Sequence, residues 1–123
     1  MKVISTKTAP AAIGPYSQGM VTGNLVFTSG QIPIIPESGE LVTGSIKEQA
    51  EQSCKNVGEI LKAAGSSYEK VVKTVCFLAN MEDFADFNAV YAKFFVSSPA
   101  RSCVAVKTLP KGVLCEVEAI AEI

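Results

Sequence analysis

SIKEQAEQSCKNVGEILKAAGSSYEKVVKTVCFLA, residues 45–79, contains the two most clearly patterned elements of the chain, a helix followed by a strand. Ser45 and Glu48 form a capping box, a pair whose side chains satisfy free amide donors where a helix begins. Gly65 readily adopts the left-handed conformation that ends a helix. Between these signals, apolar residues recur at spacings of three and four and predict one buried stripe: Ile46, Ala50, Cys54, Val57, Leu61 and Ala64.

The run VVKTVCFLA at 71–79 predicts a central strand, because both of its faces carry apolar side chains. After it, Asn80 is placed to cap a second helix that reaches about Phe95, and Pro99 stops any continuation. We expect aromatic residues to line the buried side of this helix: Phe84, Phe87, Tyr91 and Phe94. Together with Phe95, these phenylalanines are interpreted as packing residues and not as a platform for stacking bases.

The rest of the chain carries strand patterns, at Lys2–Thr6, Ser17–Val21, Leu25–Ser29, Ser102–Val106 and Val113–Ile123. Gly23-Asn24 predicts a tight hairpin between the second and third of these strands. In residues 30–40, Pro33, Pro36 and Gly39 exclude a central strand and predict a long surface loop. The order β-β-β-α-β-α-β-β therefore predicts an α+β sheet with both helices on one face.

The composition predicts that the other sheet face is covered by further copies of the chain. The 123 residues make one domain, 1–123, with a single core. Hydrophobic residues amount to 48% and charged residues to 19% of the sequence, which is apolar for a small monomer. Because exposed apolar area of this extent marks an interaction surface, we expect an oligomer.

Several classes of function are disfavoured by the composition. The net charge is −1, the basic residues are scattered and the chain has no histidine, which argues against nucleic-acid binding. Cys54, Cys76, Cys103 and Cys115 form no C-x-x-C pair, which argues against a zinc site. The sequence shows neither a signal-peptide pattern in residues 1–16 nor a run of about 20 apolar residues. We expect a cytoplasmic protein with reduced thiols.

The last predicted strand contains the candidate site. Glu116 and Glu118 alternate and therefore share one strand face with apolar neighbours, where two like charges are costly unless a cation or a polar ligand offsets them. Arg101 lies just before the preceding predicted strand, Ser102–Val106, and is one such cation. A direct hairpin would place Arg101 opposite Glu118. An intervening strand would separate them by about 10 Å and leave room for a small molecule.

Two interpretations of these charges remain open from the spacing alone. The first is a cross-strand salt bridge on a solvated sheet face, worth about 0.2–1 kcal/mol. The second is a binding site in which the planar guanidinium of Arg101 receives a carboxylate through two hydrogen bonds. A glutamate would then orient a water molecule toward the bound compound.

Seven stretches in order give the chain a resemblance to a known family over nearly its whole length: APAAIGPYSQG, FTSGQIP, NVGEILKAAG, VVKTVCFL, DFNAVYAKFF, PARSCV and CEVEAIA. The sequence resembles the RidA (YjgF/YER057c/UK114) family. The resemblance implies a chorismate-mutase-like fold, a six-stranded mixed sheet of order 1-2-3-6-4-5 with two helices on one face. It also implies a homotrimer with clefts between subunits, which hydrolyses 2-imino and 2-enamino acids to 2-keto acids and ammonia. No metal, nucleotide or redox cofactor is implied.

The resemblance also implies roles for individual residues. Arg101 would bind the substrate carboxylate, Glu116 would position water, and Cys103 would offer its backbone groups beside the reacting carbon. Substrate-binding residues would line the cleft, some from the neighbouring subunit: Tyr16, Ser29, Gly30 and Asn88. Taken alone, Tyr16 could equally fill a loop, Asn88 could be a polar residue on a helix face, and Cys103 could belong to the core.

One departure from the family pattern lies beside the candidate site. Val96, Ser97 and Ser98 alone separate Phe95 from the PARSC motif, whereas many members of the family have a longer connection. A tighter loop could shift Arg101 or narrow the cleft. Relatives described as endoribonucleases or translation inhibitors, and a regulatory or chaperone-like trimer, are the alternatives to the enzymatic function.

Overall fold

The first helix lies where its capping signals predict it. In the computed structural model, which describes residues 1–123, α1 spans Ile46–Ala63. The Ser45 side chain accepts a hydrogen bond from the Glu48 amide at 3.4 Å, and Gly65 has a φ of +80°. The remaining elements are β1 (Lys2–Ile4), β2 (Gly19–Thr22), β3 (Leu25–Thr28), β4 (Val71–Leu78), α2 (Phe84–Phe94), β5 (Ala100–Ala105) and β6 (Cys115–Glu122).

The six strands form one mixed sheet in the order β1-β2-β3-β6-β4-β5. The β4–β5 pair is parallel and the other neighbours are antiparallel. Gly23, with a φ of +58°, forms the predicted hairpin turn between β2 and β3. Because β4 lies between β5 and β6, the direct-hairpin arrangement is wrong and the intervening-strand arrangement is confirmed.

The sheet buries one face under the helices and leaves the other without a layer. Alternate residues of β6, from Cys115 to Ala121, are buried on the helix side. Between them, Glu116, Glu118 and Ile120 lie half-buried on the opposite side, as do Val75 and Phe77 of β4. These five residues define the open face. The α+β layout with both helices on one side is therefore confirmed.

The start of the second helix differs from the prediction. Met81–Asp83 form a short 3-10 turn, α2 begins only at Phe84, and the Asn80 side chain makes no capping hydrogen bond. Phe84 consequently lies in the first turn of α2, outside the core, and is 36% exposed. Its assignment to the buried side was wrong, whereas Phe87 and Tyr91 are buried as predicted.

Residues 30–40 contain no regular strand, but the beginning of this segment is not on the surface. Gln31 and Pro33 are buried, and Gln31 exchanges two backbone hydrogen bonds with Val117 of β6. The buried Asn56 of α1 donates to the carbonyls of Ile32 and Ile34 at 3.2 and 2.9 Å. These bonds hold the segment against the sheet, which corrects the prediction of a surface loop.

Gln18 holds the N-terminal loop against the core. It is 4% exposed, its Nε2 donates to the carbonyls of Ala9 and Pro10 at 3.2 and 2.6 Å, and its Oε1 accepts from the Thr6 amide at 2.7 Å. One side chain thus satisfies backbone groups on several turns of a loop that has no regular structure. No helix combines the length and the apolar character that a membrane crossing requires.

We expect Gln18→Ala to lower the free energy of unfolding by about 2–3 kcal/mol, because buried backbone groups lose their partners. Urea denaturation followed by circular dichroism measures this change. Thr22→Ala is a matched control, since Thr22 is exposed at the end of β2. A loss below about 0.5 kcal/mol for Gln18→Ala would mean that solvent replaces these hydrogen bonds at little cost.

Candidate functional site

Glu116 opens into a cavity of about 500 Å³ at the end of the open face. We call it the Glu116 cavity. Four of the residues that the sequence singled out line it together: Tyr16, Ser29, Gly30 and Glu116. Apolar side chains including Ile13, Ile32 and Ile34 form much of the remaining wall, and Lys111 also lines the cavity. The cavity therefore combines one carboxylate and one cation with an apolar surface.

An irregularity in strand pairing brings Gly30 against Glu116. Phe27 pairs with Ile120 and Gln31 pairs with Val117, so the β3 side holds one residue more than the β6 side. The Thr28 hydroxyl fills the gap by accepting a hydrogen bond from the Ala119 amide at 3.0 Å. Such β-bulges bend a strand and redirect its side chains, and they are common beside active sites.

The space at Gly30 is already occupied by the Glu116 side chain. A Cβ atom on Gly30 would overlap the Glu116 Oε1 atom and lie 2.9 Å from its Cδ. Glycine is therefore required here for close approach. The carboxylate is the far end of a flexible side chain, so a larger residue would displace it without disturbing the backbone.

We accordingly expect Gly30→Ala to fold normally and to lower kcat at least tenfold by moving the Glu116 carboxylate. Activity assays and thermal melting measure the two effects separately. Ser38→Ala is the control, because Ser38 is exposed in the same segment. Gly39→Ala would not serve, because Gly39 has a φ of +75° and alanine would be strained there. Full activity in Gly30→Ala would show that the reaction does not depend on the present position of Glu116.

Burial raises the pKa of the Glu116 carboxyl above its ordinary value, and repulsion from Glu118 raises it further. Both causes disfavour the charged form. A carboxylate whose pKa is raised binds protons more readily at near-neutral pH than an exposed glutamate does. Glu116 is thus suited to accept a proton from water and to return it to a leaving group.

Arg101 lies beside α2 and has no carboxylate partner. Its Nη1 donates to Asn88 Oδ1 at 2.7 Å, and its Cζ lies 4.8 Å from the centre of the Tyr91 ring and 5.4 Å from that of Phe84. The ion pairs in the structure are Lys47–Asp86 and Lys55–Glu51. The interpretation of Arg101 as half of a salt bridge with Glu116 or Glu118 is therefore wrong.

A second cavity, of about 480 Å³, lies at Arg101 and Asn88. We call it the Arg101 cavity. The short connection after α2 supplies part of its wall through Val96 and Ser98. The Ser97 hydroxyl holds this connection in place by donating a hydrogen bond to the Val71 carbonyl at 2.8 Å. The next residue, Ser98, has a φ of +49°.

Cys103 lies two residues beyond Arg101 on the same side of β5 and lines neither of these cavities. Burial raises the pKa of its thiol, although Arg101 lowers it in part. A thiol in this state is a poor nucleophile. Since the Val106 amide donates to Leu78, strand alternation directs the backbone groups of Cys103 away from β4, toward the free edge of the sheet.

The predicted residues divide into two groups on opposite sides of one sheet. Arg101 pairs with Thr74, whose side chain is buried beneath α2, whereas Glu116 pairs with Phe77 on the open face. Within one protomer the structure thus brings Glu116, Tyr16, Ser29 and Gly30 together in one cavity and Arg101 with Asn88 in another. It does not bring the two groups together.

Three residues to which the sequence patterns assigned no role in a site lie at the Glu116 cavity or beside Arg101: Lys111, Tyr91 and Phe84. Lys111 precedes Gly112 and has a φ of +57°, a backbone conformation that is uncommon for lysine. Tyr91 and Phe84 follow the helical spacing of a buried stripe, which conceals their contact with Arg101. Only the positive φ angle, which a sequence does not display, would have singled out Lys111.

Comparison with known proteins places the chain in a family. The family model described as Endoribonuclease L-PSP matches residues 6–123. A Lactococcus lactis protein named as a candidate regulator, AldR, is 56% identical over 124 residues, which cover 100% of this chain and 98% of that protein. The mouse protein named 2-iminobutanoate/2-iminopropanoate deaminase is 51% identical over 121 residues, covering 98% and 90% of the two chains.

Solved structures agree with the fold. The structure of Escherichia coli TdcF with bound serine has a TM-score of 0.95 and 46% sequence identity, over 100% of this chain and 99% of that one. The strand order predicted from the resemblance is also the order observed. With a family match from residue 6 to its last residue and relatives that share half of its sequence, this chain belongs to the RidA (YjgF/YER057c/UK114) family.

Proposed function

We propose that this protein hydrolyses reactive 2-imino and 2-enamino acids, such as 2-iminopropanoate and 2-iminobutanoate, to 2-keto acids and ammonia. Relatives named as deaminases share about half of its sequence. The observation that carries the proposal is Arg101, a half-buried cation with no carboxylate partner beside a cavity. Such a guanidinium retains the two parallel donors that a substrate carboxylate needs.

The proposed reaction uses two side chains, one from each cavity. Arg101 holds the carboxylate of the protonated imine, while Glu116 accepts a proton from a water molecule whose oxygen attacks C2. The resulting carbinolamine takes the proton back on nitrogen and expels ammonia, while its hydroxyl gives its proton to the Glu116 carboxylate and becomes the keto oxygen. Glu116 then passes this proton to the ammonia, which leaves as ammonium. A 2-enamino acid first takes a proton at C3 to become the imine, so one mechanism serves both compounds.

The active site in this proposal is shared between copies of the chain. Arg101 and Glu116 lie on opposite faces of one sheet, so a small acid cannot contact both within one protomer. A homotrimer that covers the open faces, with the β5 edge of one protomer lying against the Glu116 cavity of the next, would bring the two halves of the site together. The unpaired backbone of Cys103 at the edge of β5 is then available to the bound molecule.

The decisive experiment mixes two inactive variants. Arg101→Ala and Glu116→Gln chains are co-expressed with different tags and the mixed oligomers are purified. If the groups act across an interface, one of the three sites in each purified mixed trimer contains both wild-type halves, and activity on 2-iminobutanoate generated in situ is restored to about a third of the wild-type value. The separately purified variants are the controls.

No restored activity in verified mixed oligomers would overturn the shared site. If the wild-type protein itself fails to accelerate loss of 2-iminobutanoate, the proposed reaction is wrong. The family description names an endoribonuclease, so RNA binding is the alternative function. Fluorescence titration with a single-stranded RNA tests it. Tight binding that weakens steeply with salt would favour that function over imine hydrolysis.

A further inference from the structure

The guanidinium of Arg101 is held by two aromatic rings that no sequence pattern assigned to the site. Its Cζ lies 4.8 Å from the centre of the Tyr91 ring and 5.4 Å from that of Phe84, distances typical of cation–π contacts. We propose that Phe84 and Tyr91 form an aromatic seat that orients Arg101 for the substrate carboxylate. This inference rests on the proposed function and makes both residues positioning residues.

The seat explains how a half-buried cation remains available to a substrate. A guanidinium that loses water needs compensation, and the electron-rich faces of two rings supply it without the negative charge that would compete with a ligand. Asn88 accepts one N–H at 2.7 Å, which fixes rotation about the end of the side chain. The donors on the remaining edge are left for an incoming carboxylate.

Tyr91 is itself fixed in place by the frame that carries Arg101. It is 8% exposed, its hydroxyl lies 2.6 Å from Thr74 Oγ1, and its ring stacks on Phe95 with centroids 4.5 Å apart. Thr74 is also the residue that pairs with Arg101 across β4 and β5. The Tyr91 ring and the Arg101 residue that it contacts are therefore both attached to the sheet at Thr74.

Phe84 differs from the other aromatic residues of α2 in being at the surface. It is 36% exposed and lies in the first turn of the helix, so its ring contributes little to the core. Arg101 is the neighbour with which it makes a directed contact. A surface phenylalanine beside a substrate-binding cation also shields that cation from bulk water, which strengthens its pairing with an anion.

The test uses Phe84→Leu, which keeps an apolar side chain but removes the ring. We expect KM for 2-iminobutanoate to rise about tenfold, kcat to change less than threefold, and affinity for the product 2-oxobutanoate to fall about as much as KM rises. Phe94→Leu is the matched control on the same helix, since Phe94 packs on Tyr68 and not on Arg101. It should leave KM unchanged.

Tyr91→Phe and Tyr91→Leu give a second, independent readout. The leucine variant should raise KM as Phe84→Leu does, whereas the phenylalanine variant keeps the ring, loses only the hydroxyl contact with Thr74 and should raise KM clearly less. Calorimetry with the neutral analogue 2-oxobutanamide separates positioning from general disruption. Its affinity should be the same in Phe84→Leu and wild type, because the seat acts on a charge pair.

An unchanged affinity for 2-oxobutanoate in Phe84→Leu would overturn the seat, and so would an equal loss for the keto acid and its amide. Neither result affects the proposed function as long as Arg101→Ala is inactive. Full activity of Arg101→Ala would instead remove the carboxylate anchor, and the seat with it. Phe84→Leu settles the matter even if Tyr91→Leu fails to fold, since Phe84 lies outside the core.

Discussion

Replacing Arg101 with alanine is expected to lower kcat/KM for 2-iminobutanoate by about a thousandfold. The substrate would lose two charge-assisted hydrogen bonds, each worth about 1.5–3 kcal/mol, and about 1.4 kcal/mol corresponds to a factor of ten in rate. Loss of the imine generated in situ is followed by trapping with semicarbazide or by release of ammonia. The thermal midpoint should change little, because Arg101 is half-exposed and pairs with no carboxylate.

Lys107→Ala provides the matched control for this loss. Lys107 is an exposed cation just beyond β5, and it lines neither the Glu116 cavity nor the Arg101 cavity. Its removal changes the net charge by the same amount, so any effect of overall charge on substrate attraction appears in both variants. A fall of less than tenfold in Arg101→Ala, or an equal fall in Lys107→Ala, would contradict a direct role of Arg101 in binding.

Glu116→Gln should lower kcat about a hundredfold or more, the usual contribution of a positioned general base. The amide has nearly the same size as the carboxylate, so the change tests the proton acceptor and leaves the cavity shape intact. Binding of 2-oxobutanoate should persist, which distinguishes this variant from Arg101→Ala. Retained kcat in Glu116→Gln would mean that water attacks the imine without help from this residue.

The pH dependence of activity and stability gives a second check on Glu116. Its pKa is raised by burial and by Glu118, so the active carboxylate is lost as the pH falls through this raised pKa, at a higher pH than for an exposed glutamate. Glu118→Gln removes the repulsion and should move this acidic limb to lower pH. For folding the sign is the opposite: the protonated form is favoured in the folded state, and the stability that this contributes is lost as the pH rises through the raised pKa.

Glu116→Gln should consequently melt at a higher temperature than wild type near pH 7, with the difference vanishing toward pH 4. Differential scanning calorimetry at several pH values measures this effect in the oligomer. A lower melting temperature at pH 7 would mean that the charged form of Glu116 is stabilised by a partner from another protomer. That result would locate a cation or amide donor at the subunit interface.

Local signals in the sequence were sufficient for the elements that begin and end with strong capping or turn residues. Ser45 and Gly65 predicted α1 to within two residues, and Gly23-Asn24 predicted the β2–β3 turn. Asn80 failed as a cap because a 3-10 turn follows it, and nothing in the pattern distinguishes that turn from the start of an α-helix. The strand order came from the family resemblance and not from local physics.

The site was predictable in its members and unpredictable in its geometry. Alternation in β6 correctly placed Glu116 and Glu118 on one face. The face on which Arg101 lies depends on the parallel register of β5 against β4, which is set by contacts far apart in sequence. The same holds for buried polar side chains such as Gln49, whose partner, the Leu114 amide, is 65 residues away.

The division of charges between the two sides of the sheet has a consequence for dilution. If neither surface can work alone, turnover per chain must decline once the concentration drops below the dissociation constant of the assembly. The total rate would then depend on the fraction of chains that are assembled as well as on the number of chains. Newly synthesised chains would be inactive until they assemble.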